Sequence, residues 1–121
     1  MEVGTKVVID EGILESYRAL QEDGQPDVVT EFIDVFLGDL PTRIDRLREA
    51  VAEGKPEGIR AAAHALKGSS GSVGAVHLSG LCAQLEVTAR AGSTEGAADL
   101  LAAIEPEAVR AREELNRYRR P

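Results

Sequence analysis

Residues 63–86 read AHALKGSSGSVGAVHLSGLCAQLE, and this stretch decides the fold. Leu66 and Val73 in its first half are seven residues apart, as are Leu78 and Leu85 in its second half, and seven residues make two turns of an α-helix. Each pair would therefore lie on the inward face of its own helix. Residues 68–74, at the end of the first half, are all glycine or serine except Val73. The stretch predicts two consecutive helices that pack against each other.

The chain before this stretch shows the same helical periodicity. Asp10 is a suitable N-cap for a first helix from Glu11 to about Asp23. Its apolar face would be formed by Ile13, Leu14, Tyr17 and Leu20. A long second helix opens at Pro26 and closes at Gly54, and its inward stripe is predicted to contain Val29, Phe32, Phe36, Leu40, Ile44, Leu47 and Val51.

Proline residues lie inside two of the predicted helices. Pro41 removes one backbone donor from the second helix, so we expect a kink or a break near residues 39–41. Pro106 lies inside a fifth helix that Thr94 would cap. A third helix begins near Pro56, and a fourth runs from about residue 75 to residue 89. Together these elements predict an all-α protein, an antiparallel four-helix bundle with an additional N-terminal helix.

Length and composition limit the domain organisation and the class of protein. The 121 residues suffice for one domain spanning 1–121, with an N-terminal extension at 1–9 and a basic tail at 116–121. A net charge of −7 argues against nucleic-acid binding. Cys82 is the only cysteine, which fits a reducing compartment. No apolar run approaches membrane-spanning length, so we expect a cytoplasmic monomer that binds no membrane.

His64 is the residue in this stretch with the clearest chemical potential. On a helix it lies about 200° from Leu66, which points into the core, so His64 should face solvent or a bundle edge. Its helical neighbours are Arg60 one turn before it, Lys67 and Gly68 one turn after it, and Gly71 two turns after it. A titratable nucleophile therefore lies beside two cations and two residues without a side chain.

This face suits a histidine that carries a phosphoryl group. Neutral imidazole is a good nucleophile near neutral pH, and Lys67 could pair with phosphoryl oxygens. Gly68 and Gly71 would let a partner approach the ring closely. The same residues also allow an ordinary surface histidine, a solvated lysine, and glycines that serve only close helix packing. The pattern alone leaves these alternatives open.

The residues 64–70, HALKGSS, resemble the H-x-L-K-G-S-[SA] motif of histidine phosphotransfer (HPt) domains. The similarity continues through the sequence VGA at 73–75 and through Leu78 and Leu85, which are similar to the following helix of that family. It also extends to the first two predicted helices and covers about residues 8–115. The resemblance implies a four-helix bundle in which His64 is the phosphoacceptor, with the phosphoryl group on Nε2.

The resemblance also implies roles for other residues. Lys67 matches the lysine near the phosphoryl group, and Gly68 matches the small residue that lets a receiver domain dock, beside Arg60 and Gly71. Glu86 falls where family members often place Gln or Glu, so its side chain would orient the imidazole ring. A solvated glutamate is the alternative. Gly71 departs from the Ala or Asn of many members and leaves the end of the third helix in doubt.

The implied reaction passes a phosphoryl group between His64 and aspartates of partner receiver domains, or of a hybrid histidine kinase. Mg²⁺ is expected on the receiver, with no cofactor or metal bound by this chain, and no ATP-site motif is found in the sequence. We therefore expect a phosphoryl carrier rather than an enzyme. Two other functions stay open: the phosphoacceptor domain of a chemotaxis-type kinase, and an HPt-like scaffold that binds a response regulator without transfer.

Two further interpretations have little support in the sequence. His77 has Gly80 and Leu81 one turn later and no cation, so we interpret it as structural or as a surface residue. A metal-binding bundle would need more ligands, since the chain has two histidines and no Glu-x-x-His pair.

Overall fold

The computed structural model describes residues 7–120, which form five α-helices and, within that range, no strand. The predicted all-α class is confirmed. Helix α2 packs against α3 and α5, α3 against α4, and α4 against α5, so these four helices close a ring, with α1 against α2. The bounds are Glu11–Arg18 for α1, Val28–Glu53 for α2, Pro56–Ser72 for α3, Val76–Arg90 for α4 and Ala97–Asn116 for α5.

One continuous apolar core lies inside this ring. Its fully buried side chains come from all five helices, and burying each large one contributes roughly 1.5–3 kcal/mol to folding. The largest of them are Leu14, Ile33, Leu47, Ile59, Leu66, Leu78, Leu85, Ile104 and Leu115. Cys82 is also buried, and burial raises the pKa of its thiol to about 12. The thiol is therefore not a reactive nucleophile.

Helix α2 runs through Pro41 without a break, so the break is wrong and the alternative, a kink, stays a prediction. The stripe of buried residues continues from Phe36 and Leu40 to Ile44, and packing on both sides of the proline outweighs the missing hydrogen bond. The stripe also differs from the prediction near its start. Ile33 is buried, whereas Phe32 is 42% exposed.

Helix α1 is shorter than predicted, because it ends at Arg18 and not near Asp23. The predicted inward residue Leu20 is 79% exposed, so burial of its side chain does not stabilise another turn of α1. The Gln21 side chain donates to the backbone oxygen of Pro26 at 2.8 Å and accepts from the backbone N–H of Val28 at 2.7 Å. These bonds hold the chain in a loop. The Asp10 cap is confirmed, since its carboxylate accepts from the N–H of Gly12.

The loop between α3 and α4 also binds the segment before α1. The backbone N–H of Asp10 donates to the carbonyl of Gly74 at 2.7 Å. Gly74 has a φ of +79°, and a Cβ there would lie 2.8 Å from the Asp10 carbonyl oxygen. Only glycine fits this turn without strain. Helix α3 begins at Pro56 as predicted and ends at Ser72.

The last helix begins at Ala97 after Gly96, so Thr94 is not its cap and that prediction is wrong. Its C-terminal segment folds back over α2, where Arg119 pairs with Asp34 at 2.6 Å. The predicted extension at 1–9 and tail at 116–121 lie in part outside the described residues. No helix in the described part of the chain is long and apolar enough to cross a membrane.

Candidate functional site

His64 lies in the middle of α3, on the side that faces away from the core. Ala63 and Leu66 on the opposite side are fully buried. Because these two residues anchor the helix to the core, the His64 ring is directed outward, and its side chain is 62% exposed. The structure thus places the predicted phosphoacceptor on an open surface.

The imidazole ring of His64 contacts Glu86 on the adjacent helix α4. Nδ1 of His64 lies 2.7 Å from Oε2 of Glu86. The glutamate side chain is only 3% exposed, so this carboxylate approaches the ring from within the protein. An ionised carboxylate accepts a hydrogen bond, which assigns the ring proton to Nδ1. Nε2, on the other side of the ring, then carries the free lone pair.

The Glu86 carboxylate also binds two cations. Lys67 Nζ lies 2.5 Å from Oε1, and the Arg90 guanidinium lies 2.8 Å from Oε2. The pKa of Glu86 is lowered from its ordinary value of 4.5, chiefly by the hydrogen bond from Lys67 and also by the one from His64, while burial acts in the opposite direction. Glu86 therefore stays ionised at neutral pH.

Lys67 lies one turn after His64, and its side chain is 33% exposed. The Ser79 hydroxyl of α4 donates to the backbone oxygen of Lys67 at 3.0 Å, which ties the two helices together beside the site. The lysine can therefore reach Glu86 from a fixed backbone position, and its terminal amine stays accessible to an incoming anion.

The two glycines of this face differ. A Cβ on Gly68 would meet no atom within 4 Å, whereas a Cβ on Gly71 would lie 3.4 Å from the Ser79 hydroxyl oxygen. Gly68 is exposed and leaves the surface beside His64 free of side-chain bulk. Gly71 is half-buried, and its geometry supports the alternative of close packing between α3 and α4.

Arg60 is the predicted site residue that the structure connects least to the others. It lies one turn before His64 and is half-buried. Among residues 7–120 no ion pair of Arg60 is found. Its predicted part in partner docking stays a prediction.

Sequence reasoning did not include Arg90 among the site residues. It lies four residues after Glu86 and therefore on the same face of α4. This spacing is the signal that could have found it once Glu86 was considered.

His77 lies near a second buried glutamate that the sequence did not single out, Glu107 of α5. The distance from His77 Nε2 to Glu107 Oε1 is 4.0 Å, and the His77 side chain is 23% exposed. Arg110 lies 3.1 Å from the same oxygen, while Oε2 of Glu107 is buried and has no partner in the described residues. We call His64, Lys67, Glu86 and Arg90 the first cluster, and His77, Glu107 and Arg110 the second cluster. Both contain a histidine, a buried glutamate and an arginine, but the distance from histidine to glutamate differs.

A groove of about 530 Å³ lies between α1, α2 and α3. Tyr17, Phe32 and Val35 line it, and His64 does not. His64 therefore lies outside this groove. Its open position suits contact with a partner protein better than binding of a small substrate, which a pocket would have to enclose.

Comparisons with known proteins agree with this geometry. The family model described as "Hpt domain" matches residues 31–120. Histidine-containing phosphotransfer protein 2 of Arabidopsis thaliana is 33% identical over 93 residues, which cover 74% of this chain and 60% of that protein. The chain therefore spans less than two thirds of the length of that relative.

Two solved structures are similar over most of their length. Histidine-containing phosphotransfer protein B of Pseudomonas aeruginosa is 31% identical, with a TM-score of 0.81, and the match covers 94% of this chain and 96% of that one. The maize histidine-containing phosphotransfer protein is 25% identical, with a TM-score of 0.76 and coverage of 90% and 85%. From the extent of the family match and the shared fold we conclude that this chain belongs to the histidine phosphotransfer (Hpt) domain family.

Proposed function

We propose that this chain is a phosphoryl carrier that accepts a phosphoryl group on Nε2 of His64 from a receiver-domain aspartate and passes it to another receiver. The observation that carries the proposal is the contact of 2.7 Å between His64 Nδ1 and the buried Glu86. Since this contact engages Nδ1, it leaves the lone pair of Nε2 free on a side chain that is 62% exposed.

The transfer step forms one bond and breaks one bond. The lone pair of Nε2 attacks phosphorus, and the bond from phosphorus to the aspartate oxygen breaks, leaving its electron pair on the aspartate carboxylate. The ring keeps its Nδ1 proton and gains positive charge. The negative carboxylate of Glu86 stabilises that charge. Lys67 can neutralise the negative charge of the phosphoryl oxygens. The same reaction in reverse transfers the phosphoryl group from His64 to the aspartate of a second receiver domain.

The partner would supply the other components of the reaction. In this proposal the receiver contributes the aspartate and a bound Mg²⁺, while this chain contributes the nucleophile, its orientation and a cation. In the part of the chain that the structure describes, no group of three or more His, Cys, Asp or Glu side chains could hold a metal ion. Gly68 would give the receiver access to the ring.

The absence of an ATP site, the monomeric state and the cytoplasmic location belong to the same proposal. Cys82 is the only cysteine of the chain, which fits a reducing compartment. Arg119, in the predicted basic tail, pairs with Asp34 and is therefore less available to nucleic acid. A hybrid histidine kinase is the other partner that the family suggests as a phosphoryl donor.

Labelling by a phosphorylated receiver domain tests this function. The wild type and His77→Gln should acquire a base-stable, acid-labile label, and His64→Gln should acquire none. Label that persists in His64→Gln would refute the assignment. A wild type that binds several receivers without label would instead be a scaffold. Label acquired only from ATP and a separate kinase domain would favour the chemotaxis-type function.

A further inference from the structure

Helix α1 depends on contacts outside itself. It has eight residues, of which Leu14 is the buried one, and it packs chiefly against α2. A helix of two turns is not stable in water on its own, so its packing and its polar contacts have to hold it in place. The other four helices close their ring without it.

The chain after α5 folds back against α1 and the start of α2, and we call residues 118–120 the C-terminal strap. The Arg18 guanidinium donates to the backbone carbonyl of Tyr118 at 2.8 Å. It also pairs with Asp27, the N-cap of α2, at 3.2 Å, and both of these charged side chains are mostly shielded from solvent. One guanidinium thus joins α1, the start of α2 and the C-terminal strap.

Two further contacts of the C-terminal strap complete this network. The backbone N–H of Arg120 donates to the Thr30 hydroxyl at 2.7 Å, and that hydroxyl donates to Asp27 at 2.6 Å. The Tyr118 hydroxyl donates to the Glu11 carboxylate at 2.6 Å. Glu11 and Arg18 are the first and last residues of α1, so Tyr118 contacts both ends of this helix.

Two titratable groups of the network keep their protonation near neutral pH. The pKa of Asp27 is lowered to about 2, chiefly by the hydrogen bond from the Thr30 hydroxyl and also by Arg18, while burial acts in the opposite direction. Burial raises the pKa of the Tyr118 hydroxyl to about 12, and the neighbouring Glu11 adds to this effect. A change of pH around neutrality therefore leaves both groups in the states that these hydrogen bonds require.

The position of α1 in turn affects α3, the helix that carries His64. The Tyr17 hydroxyl donates to the backbone carbonyl of Ser72, the last residue of α3, at 2.8 Å. The Tyr17 ring packs edge-on against Phe32, with 5.0 Å between the ring centroids, and lines the groove between the three helices. Movement of α1 would therefore open this groove and remove a hydrogen bond from the end of α3.

We propose that residues 118–120 are a releasable strap. While bound, they fix α1 to the bundle through Arg18. When they are displaced, α1 detaches from α2 and α3 as one unit, and the other four helices stay folded. This inference concerns how the fold opens and goes beyond the proposed function, on which it does not depend.

Native-state hydrogen exchange tests whether a change in the C-terminal strap reaches α1. In Tyr118→Ala the backbone amides of residues 15–19 should exchange about tenfold faster, although no residue of α1 is changed. Arg117→Ala is the matched control. Arg117 is the preceding residue, pairs with Glu114 of its own helix and is 74% exposed, so this change should leave the exchange of α1 unaltered. Unaltered exchange of α1 in Tyr118→Ala would overturn the proposal.

The same measurement in the opposite direction uses a change in α1. Arg18→Met keeps an apolar side chain and removes the guanidinium, so the Arg120 amide should exchange about tenfold faster together with the amides of residues 15–19. Acceleration of the α1 amides alone would mean that α1 and the C-terminal strap open independently, which would contradict the proposal.

The urea dependence of exchange in the wild type separates detachment of α1 from unfolding of the whole protein. The amides of α1 and of Arg120 should share one weak urea dependence, whereas those of α4 should follow global unfolding. Ile104→Val, about four turns before Tyr118, weakens the core and should speed exchange in α4 without changing α1. One common urea dependence for α1 and α4 would overturn the proposal without any variant.

Discussion

The two histidines of this chain each face a buried glutamate whose own helix carries an arginine one turn later, but the two clusters engage different ring nitrogens. In the first, Nδ1 of His64 contacts Glu86 at 2.7 Å, and the ring is 62% exposed. In the second, Nε2 of His77 lies 4.0 Å from Glu107, and the ring is 23% exposed.

Under the proposed function, a histidine beside a carboxylate is not enough to make a phosphoacceptor. The engaged nitrogen has to be the one that does not react, and the other has to reach the surface. The first cluster also contains Lys67, and the exposed Gly68 lies beside it. Within the described residues, the second offers Glu107 a single arginine, Arg110, and leaves one carboxylate oxygen unpaired.

Removing the two carboxylates in turn should give the largest contrast. Glu86→Ala should slow phosphoryl transfer about tenfold to hundredfold, because a hydrogen bond to a charged group contributes about 1.5–3 kcal/mol. Glu107→Ala should leave the rate within about twofold. Single-turnover transfer from a phosphorylated receiver measures both. Equal losses would mean that the two glutamates act only through stability.

Adding bulk beside His64 should have the next largest effect. Gly68→Gln should slow transfer about tenfold, because a receiver could no longer approach the ring. Gly38→Gln is the matched control, since Gly38 also lies inside a helix and a Cβ there meets no atom within 4 Å. Both variants should fold, with a small gain in helix propensity. Unchanged transfer in Gly68→Gln would mean that the docking face lies elsewhere.

Acid should remove the stabilisation that the ionised Glu86 gives to its cluster with His64, Lys67 and Arg90. The pKa of Glu86 is lowered in the folded protein, so its contribution to stability is complete above about pH 4.5, the ordinary value, and is lost as the pH falls through the folded value. Urea unfolding at pH 7 and pH 3 should therefore show a smaller difference between the wild type and Glu86→Gln at pH 3. A difference that is independent of pH would contradict this.

Replacing the second carboxylate, Glu107, should have the smallest effect, and it should stabilise the protein. Glu107→Met should raise the free energy of unfolding by about 1 kcal/mol, because it removes a buried charge with one unpaired oxygen. Arg110 is 58% exposed and can be hydrated instead. Chemical denaturation measures the change. A loss of stability would mean that the cluster supports the bundle.

Much of this fold follows from periodicity. The spacing of the apolar residues predicted the long helices, and the angle between His64 and Leu66 on one helix predicted that His64 is exposed. Both predictions depend only on the geometry of a single helix. The contact between His64 and Glu86 came from the family resemblance, because the rotation of α4 against α3 depends on packing along the whole pair.

Other features depend on interactions that a single helix does not show. Phe32 and Ile33 are adjacent and both apolar, and which of them is buried depends on how the other helices pack against α2. The end of α1 depends on hydrogen bonds of Gln21 across a loop. Glu107 was missed because a charged residue is ordinarily exposed, although its position three residues after Ile104 and four before Ala111 places it on the buried side of α5.

The position of the phosphoryl group on the protein tests the role of His64 most directly. Phosphorylated wild type, studied by ³¹P and ¹⁵N NMR, should carry one phosphoryl group on Nε2 of His64, with the proton on Nδ1 toward Glu86. His77 should keep an unmodified ring. A phosphoryl group on Nδ1 of His64, or on His77, would contradict the assignment of the two ring nitrogens and of the two clusters.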